Sequence, residues 1–394
     1  MSSSVDPGHF FQTDASEATR ARRAAKSGNK EGNPIVLQSK ILNAIADPFS
    51  PDSIYIAESA SCIRRINMET RDTKTVYRGP TAPVTSVAIG GAGGNTIFGG
   101  CWDKDIWSWD KNTRAVGRRY KGHSDFVKTV ICARIGDKDC LISGGADAKI
   151  IVWDTATGDR LHVLRDKSDN MMAVQDLALD PVDSTPTGVL LVSSSSDPHI
   201  RRWKIGLTSA SQVLDTDIST EGESAKDTIL EHETSVYNVI FSGDEEDEDL
   251  WTASADGSAK CLSRGKNWDV EETYTHGDYV RAVVATADWA VTAGRDEDVK
   301  IWDRSTGKLC HTYAGHYQEV TGLVLLSDKK VISISIDGTI RSWGLDRAAL
   351  DKARIEREEK SKGVVKEEKV VPKKSLMTED EEAELAELMD SDDE

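Results

Sequence analysis

Nowhere in this 394-residue sequence is there a run near eighteen uninterrupted apolar residues, so no transmembrane helix is expected. The N-terminus, MSSSVDPGHFFQTDAS, lacks the basic-then-apolar order of a secretory signal. Cysteine is scarce: Cys62, Cys101, Cys132, Cys140, Cys261 and Cys310 stand scattered, with no CxxC and no repeated spacing. That argues against a zinc ribbon or a disulfide framework and fits a reducing, intracellular compartment. Positive charge is the minority sign, 49 Lys and Arg against 67 Asp and Glu, for a formal net charge of −18. Neutralising phosphates needs clustered cations, so direct general nucleic-acid binding is not expected. What remains, 38% hydrophobic and 29% charged residues, is enough for a core and a soluble surface.

One pattern recurs along the chain: a short β-rich run, a turn aspartate, then tryptophan six positions later. Copies are GGCWDKDIWSWD, ISGGADAKIIVWD, SSSSDPHIRRW, VTAGRDEDVKIWD and SISIDGTIRSW. The turn aspartates are Asp103, Asp147, Asp197, Asp256, Asp296 and Asp337, spaced 40 to 59 residues apart, the longest gap holding visible insertions. That period is the length of one four-stranded propeller blade. Gly122-His123, Glu231-His232, Thr275-His276 and Gly315-His316 open the units just before new β-rich runs. A degenerate first unit, SIYIAESASCIRRINMET, has Ala60 in place of the turn aspartate and Ile66 in place of the tryptophan. The count is therefore seven.

With GH near the start of the units and WD near their end, the sequence resembles the WD-repeat family over about residues 34–345. The resemblance implies an all-β, seven-bladed β-propeller, with PIVLQSK at 34–40 pairing as the outer strand of the last blade to close the ring. It also implies a buried hydrogen-bonded set in each complete blade. The matching residues are His123, Ser143, Asp147 and Trp153, then His276, Thr292, Asp296 and Trp302, then His316, Ser333, Asp337 and Trp343. Blade five keeps His232, Thr252 and Asp256 but has Leu262 for tryptophan, while Pro80 and Asn170 stand at the histidine position of blades two and four. Blades one, two, four and five are thus expected to be the looser ones.

Histidine, aspartate and serine together suggest a nucleophilic triad, but the set recurs from blade to blade, ends in tryptophan, and lacks GxSxG. No enzyme, metal site or cofactor is expected: His311 and His316 lack a third ligand, and GGAGGN at 90–95 lacks the GK[ST] of a phosphate loop. Binding is the better reading. In the resembled family the upper opening is lined by residues three and five positions after GH, or just before the turn aspartate. Here these are Phe126 and Lys128, Ser235 and Tyr237, Tyr279 and Arg281, Glu319 and Thr321, with Trp102, Arg295 and, by alignment, Gln175. Aromatics beside Lys128, Arg281 and Arg295 suit an acidic or phosphorylated peptide.

Outside the ring, residues 1–33 form a polar, partly basic tail (Arg20, Arg22, Arg23, Lys26) whose composition predicts disorder. Residues 346–394 comprise a charged helix at 346–362, a PKKSL linker and an acidic tail at 378–394. Leu385, Leu388 and Met389 make one apolar stripe on that tail, fit for a basic protein partner. An acidic run at Asp244–Asp249 points to basic partners too. The whole reads as a non-catalytic interaction scaffold or assembly factor, nuclear (nucleolar included) or cytoplasmic, with ribosome or ribonucleoprotein assembly as the suggested setting. The alternative is a substrate receptor of a cullin-type ubiquitin ligase, which the missing WDxR at the blade ends makes weaker.

Overall fold

The computed structural model describes residues 14–166, 170–213, 228–243, 248–355 and 358. Seven four-stranded antiparallel sheets follow one another along the chain. Their inner strands are Ile41–Ala46, Val84–Gly90, Val127–Ile135, Val174–Leu179, Val236–Ser242, Val280–Ala285 and Val320–Ser327. Each inner strand lies against the next, and that of blade seven lies against that of blade one, so the ring closes. In blade seven the outer position is taken by Ile35–Val36, which pairs with Ile340 and Thr339. The start and end of the ring thus share one sheet, and neither is left as an open edge. A second unit, Arg347–Glu394, is described only over 347–355, which are helical, and 358. The acidic tail at 378–394 and Asp244–Asp247 of the acidic run lie outside the described residues.

The core sits between blades. Ile54, Ile56, Ile332 and Ile334 pack together at the seam of blades seven and one, and Val127, Leu141, Ile151 and Tyr120 at that of blades two and three. A middle strand covered on both faces explains why IIVWD at Ile150–Asp154 is buried throughout instead of alternating. Each buried aliphatic side chain contributes roughly 1.5–3 kcal/mol. The core is therefore spread evenly around the ring.

The connection between blades is fixed by a hydrogen-bonded relay. Trp153 Nε1 donates to Ser143 Oγ at 2.9 Å, Ser143 Oγ meets His123 Nε2 at 2.9 Å, and His123 Nδ1 meets Asp147 Oδ1 at 2.9 Å. With the imidazole neutral, every polar atom of the set has its partner. Asp147 Oδ2 also accepts the backbone N–H of Ser124 at 2.8 Å, pinning the loop that enters the blade. Blade seven repeats this through His316, Ser333, Asp337 and Trp343, and burial holds His316 neutral by lowering its pKa. In blade six the ring of His276 is reversed, Nδ1 on Thr292 and Nε2 on Asp296, with Trp302 donating to Thr292. Blade five keeps His232 between Thr252 and Asp256, with Leu262 fully buried.

Two expectations need correction here. In blade four the position equivalent to histidine is Met171, not Asn170, since Met172 N donates to Asp197 as Ser124 N does to Asp147. Nor is that blade left with an empty relay. Trp203 donates to Ser193 at 2.8 Å, and buried Arg201 spans Asp197 at 3.0 Å and Asp166 at 3.2 Å. Two carboxylates on one buried guanidinium compensate its desolvation, which a single partner seldom does. The second correction concerns the N-terminal tail: Asp14–Ser27 is a helix, not a disordered stretch, and Arg22, Arg23 and Lys26 meet Glu297 at 3.1–3.4 Å.

The relay carries a pH dependence. Burial is the largest single influence on Asp147, Asp256, Asp296 and Asp337 and opposes their ionisation, but the histidine hydrogen bonds, further donors and nearby positive charge together outweigh it. All four are nevertheless held below the usual carboxylate range, Asp296 at about 2, by the histidine together with the other donors and charges around each. A depressed folded-state pKa means stability that is complete above the unfolded value of about 3.9 and is lost as pH falls through the folded one. Asp147→Ala should cost on the order of 1–3 kcal/mol in urea unfolding at pH 7. It should also flatten the loss of stability below about pH 4. A parent-like midpoint and acid limb would show the relay idle.

Candidate functional site

Every inner strand breaks register at the same place, between residues 41 and 43, 84 and 86, 127 and 129, 174 and 176, 236 and 238, 280 and 282, and 320 and 322. The skipped residues are Leu42, Thr85, Lys128, Gln175, Tyr237, Arg281 and Thr321. A bulge re-aims its extra residue, and here all seven line one cavity of about 310 Å³ at the centre of the ring. Trp102 and Glu319 line the same cavity.

Of the upper-face residues read from the sequence, Trp102, Lys128, Tyr237 and Arg281 thus come together at the opening, with Gln175, Glu319 and Thr321. Phe126 does not line the cavity but stacks on Trp102, centroids 5.2 Å apart and planes 19° apart. Both rings are exposed, 45% for Trp102 and 39% for Phe126, which makes a two-ring apolar shelf open to solvent. Tyr279 and Arg295 stand apart as a pair on blade six, the guanidinium 5.0 Å from the ring centroid. Ser235 is drawn into the fold instead, its hydroxyl donating to Ser196 O.

Arg281 lies 4.2 Å over the ring of Tyr237, and its Nε approaches Glu319 Oε1 at 3.1 Å. It is therefore oriented and already partly neutralised, which the sequence reading did not include. Lys128 makes no ion pair among the described residues. Burial, and then the charge of Arg281, lower its pKa, and the attraction of Asp125 only partly offsets them. An anion entering here would relieve that repulsion.

The residues missed by sequence reasoning fall into two sets. Leu42 and Thr85 belong to blades without a GH dipeptide to count from, and only their shared bulge places them in the ring. The other set stitches blades together below the opening. Asp176 accepts from Val239 N at 3.1 Å and Asn238 Nδ2 at 2.7 Å, and Asn238 Oδ1 accepts from Val283 N at 3.1 Å. Thr321, which the sequence did point to, makes a bond of the same kind, its Oγ1 donating to Ile41 O at 2.9 Å across the closing seam.

Chemistry by the relay itself is blocked by its setting. The Ser143 hydroxyl is fully buried and engaged by Trp153, so no substrate can reach it. Among the described residues, no group of three or more His, Cys, Asp or Glu could hold a metal ion; His311 packs on Tyr313, and His316 is engaged by Asp337 and Ser333. Nor is any described helix long and apolar enough to cross a membrane.

A closed ring of seven four-stranded blades with this relay repeated around it defines a β-propeller of the WD type. The family model described as WD domain, G-beta repeat matches residues 115–154 and 307–344, the spans that carry complete relays in blades three and seven. The chain is a WD-repeat protein, of the kind that serves as a scaffold for protein interaction. It is similar to an uncharacterized WD repeat-containing protein of Schizosaccharomyces pombe, 29% identical over 87% of this chain and 90% of that one. It is also similar to nuclear distribution protein nudF of Aspergillus niger, 26% identical over 73% of this chain and 56% of that one. With mitochondrial division protein 1 of Vanderwaltozyma polyspora it shares 24% identity over 58% of this chain and 28% of that one. The chain therefore spans little more than half of the former and under a third of the latter.

Asp176 provides a check on the cavity. Burial raises its pKa to about 6, against hydrogen bonds from Val239, Asn238, Leu177 and Thr129. A raised folded-state pKa favours folding at low pH, and that contribution is lost as pH rises from about 4 through about 6. Carbon-13 NMR of labelled aspartate should show one carboxyl titrating near pH 6 that disappears in Asp176→Asn. If every carboxyl titrates below about pH 5, within the ordinary range, Asp176 is not buried as described.

Proposed function

We propose that this propeller is a non-catalytic scaffold or assembly factor whose upper opening receives an acidic or phosphorylated peptide. One observation carries the reading: Lys128 and Arg281 project from separate blades into one cavity beside the exposed Trp102–Phe126 shelf. An anionic side chain would lie between the two cations, with charge-assisted hydrogen bonds from Arg281. An apolar neighbour in the same peptide would cover the shelf, and Arg295 on its Tyr279 would meet a second acidic residue at the rim.

A scaffold needs more than one partner surface. The acidic tail at 378–394, with its stripe of Leu385, Leu388 and Met389, suits a basic protein, by charge and by amphipathic spacing. Acidic segments of this kind suit assembly of basic components, ribosomal or ribonucleoprotein among them, in the nucleus or cytoplasm.

Comparative pulldown followed by mass spectrometry tests the opening. The double variant Arg281→Glu, Arg295→Glu should keep the circular dichroism spectrum and melting of the parent, since neither residue belongs to a relay. It should lose the partners captured through the opening, while deletion of 378–394 removes a different, basic group. An unchanged partner set for the folded arginine variant would overturn the assignment of the opening.

A further inference from the structure

The turn after the second strand of a blade takes a left-handed residue in six of the seven blades: Ser61, Lys104, Ala148, Gly257, Glu297 and Gly338. Blade four has Pro198 there. Only blade six puts a carboxylate at that point, on a residue with φ +74°, a conformation glycine adopts without cost. Glu297 is followed by Asp298, and its side chain is 1% exposed. What covers it is the helix Asp14–Ser27: Arg22 Nη2 at 3.2 Å, Arg23 Nε at 3.4 Å and Lys26 Nζ at 3.1 Å all reach its carboxylate. Lys26 also stands 3.8 Å from Asp298, a carboxyl whose pKa burial raises. Positions 22, 23 and 26 lie on one face of a helix, so one segment delivers three cations to one anion.

Among the described side chains the helix is held by little else. Ala21, Ala24 and Ala25 are exposed, as are Arg22 and Arg23, so these residues bury almost no apolar surface. A 14-residue polar helix is marginal alone in water, and pairs whose cations remain 24–58% exposed contribute modestly and are screened by salt. The chain that tethers it is anchored independently. Asn29 donates to Ala314 O at 2.9 Å, Gly32 O accepts from Ser342 N at 2.9 Å, and Arg341 donates to Glu31 O. The helix can therefore leave without opening the ring.

We propose that the Glu297–Asp298 turn is a docking site for a basic helical segment of a partner protein, occupied in this chain by its own helix Asp14–Ser27 as a displaceable latch. This surface is separate from the upper opening and does not rest on its assignment. The tether keeps the latch at a high effective concentration, so a partner must present more or better-placed cations, or a further contact, to displace it.

The test uses the full chain and a fluorescein-labelled synthetic peptide of residues 14–27. Three proteins are compared by fluorescence anisotropy: the parent, a latch-open variant (Arg22→Glu, Arg23→Glu, Lys26→Glu), and that variant with Glu297→Gln added. Circular dichroism melts confirm that all three are folded. The latch-open variant should bind the peptide at least about tenfold more tightly than the parent, a cost of about 1.4 kcal/mol for displacing the latch. Adding Glu297→Gln should remove that binding, and raising ionic strength from about 0.05 to about 0.5 M should weaken it. Equal binding by the parent and the latch-open variant, or binding indifferent to Glu297→Gln, would overturn the proposal. So would a folded latch-open variant that binds no peptide.

Discussion

The architecture depends on a buried chain of hydrogen bonds from indole to hydroxyl to imidazole to carboxylate. Its parts come from different places: Trp153 from the third strand of a blade, Ser143 from the second, Asp147 from the turn between them, His123 from the loop arriving from the previous blade. The relay therefore stabilises its blade and fixes the angle at which that blade leaves the previous one. A partly satisfied set in this low-dielectric setting would be worse than an apolar one, so a blade that loses one member finds other partners for those that remain. Blade four exchanges the imidazole for Arg201 with two carboxylates, and blade five keeps its histidine but ends in buried Leu262. In blade two, where Pro80 removes the histidine and Gly99 the hydroxyl, the Trp109 indole donates instead to the carbonyl of Arg78.

Fixing that angle has a consequence at the centre. Seven inner strands meet at the axis, and each carries the same bulge, so seven side chains are turned into one opening whatever their type. Position is set by the backbone, and identity is free to vary. That separation lets Thr85 and Thr321 spend their hydroxyls on neighbouring strands while Lys128 and Arg281 keep charge facing the cavity. The same holds at the rim. One left-handed turn position holds glycine in blades five and seven and a buried glutamate in blade six.

Much of the fold was legible in the residues. Six turn aspartates at near-constant spacing require a repeat, and the gap between them is the length of four strands and their turns. Histidines just before β-rich runs marked where four of the blades begin, and counting from them reached Lys128, Tyr237 and Arg281. Where the dipeptide was missing, counting slipped: Asn170 stood in for Met171, and Leu42 and Thr85 went unnoticed. The basic N-terminal stretch read as disorder because its own composition buries nothing. Its order comes from Glu297, some 270 residues away in sequence.

The sequence by itself determined the repeat, the blade count and the residues of the complete relays, because each is a local pattern repeated at one period. Only the tertiary structure decided which cations have partners and which do not. Arg281 meets Glu319, Arg201 meets Asp166 and Asp197, three cations of one helix meet Glu297, and Lys128 faces the cavity with no ion pair among the described residues. Except for Asp197, four residues before Arg201, these contacts join residues tens to hundreds of positions apart. Charge pairing falls off over a few ångströms in space, a distance that linear spacing does not encode.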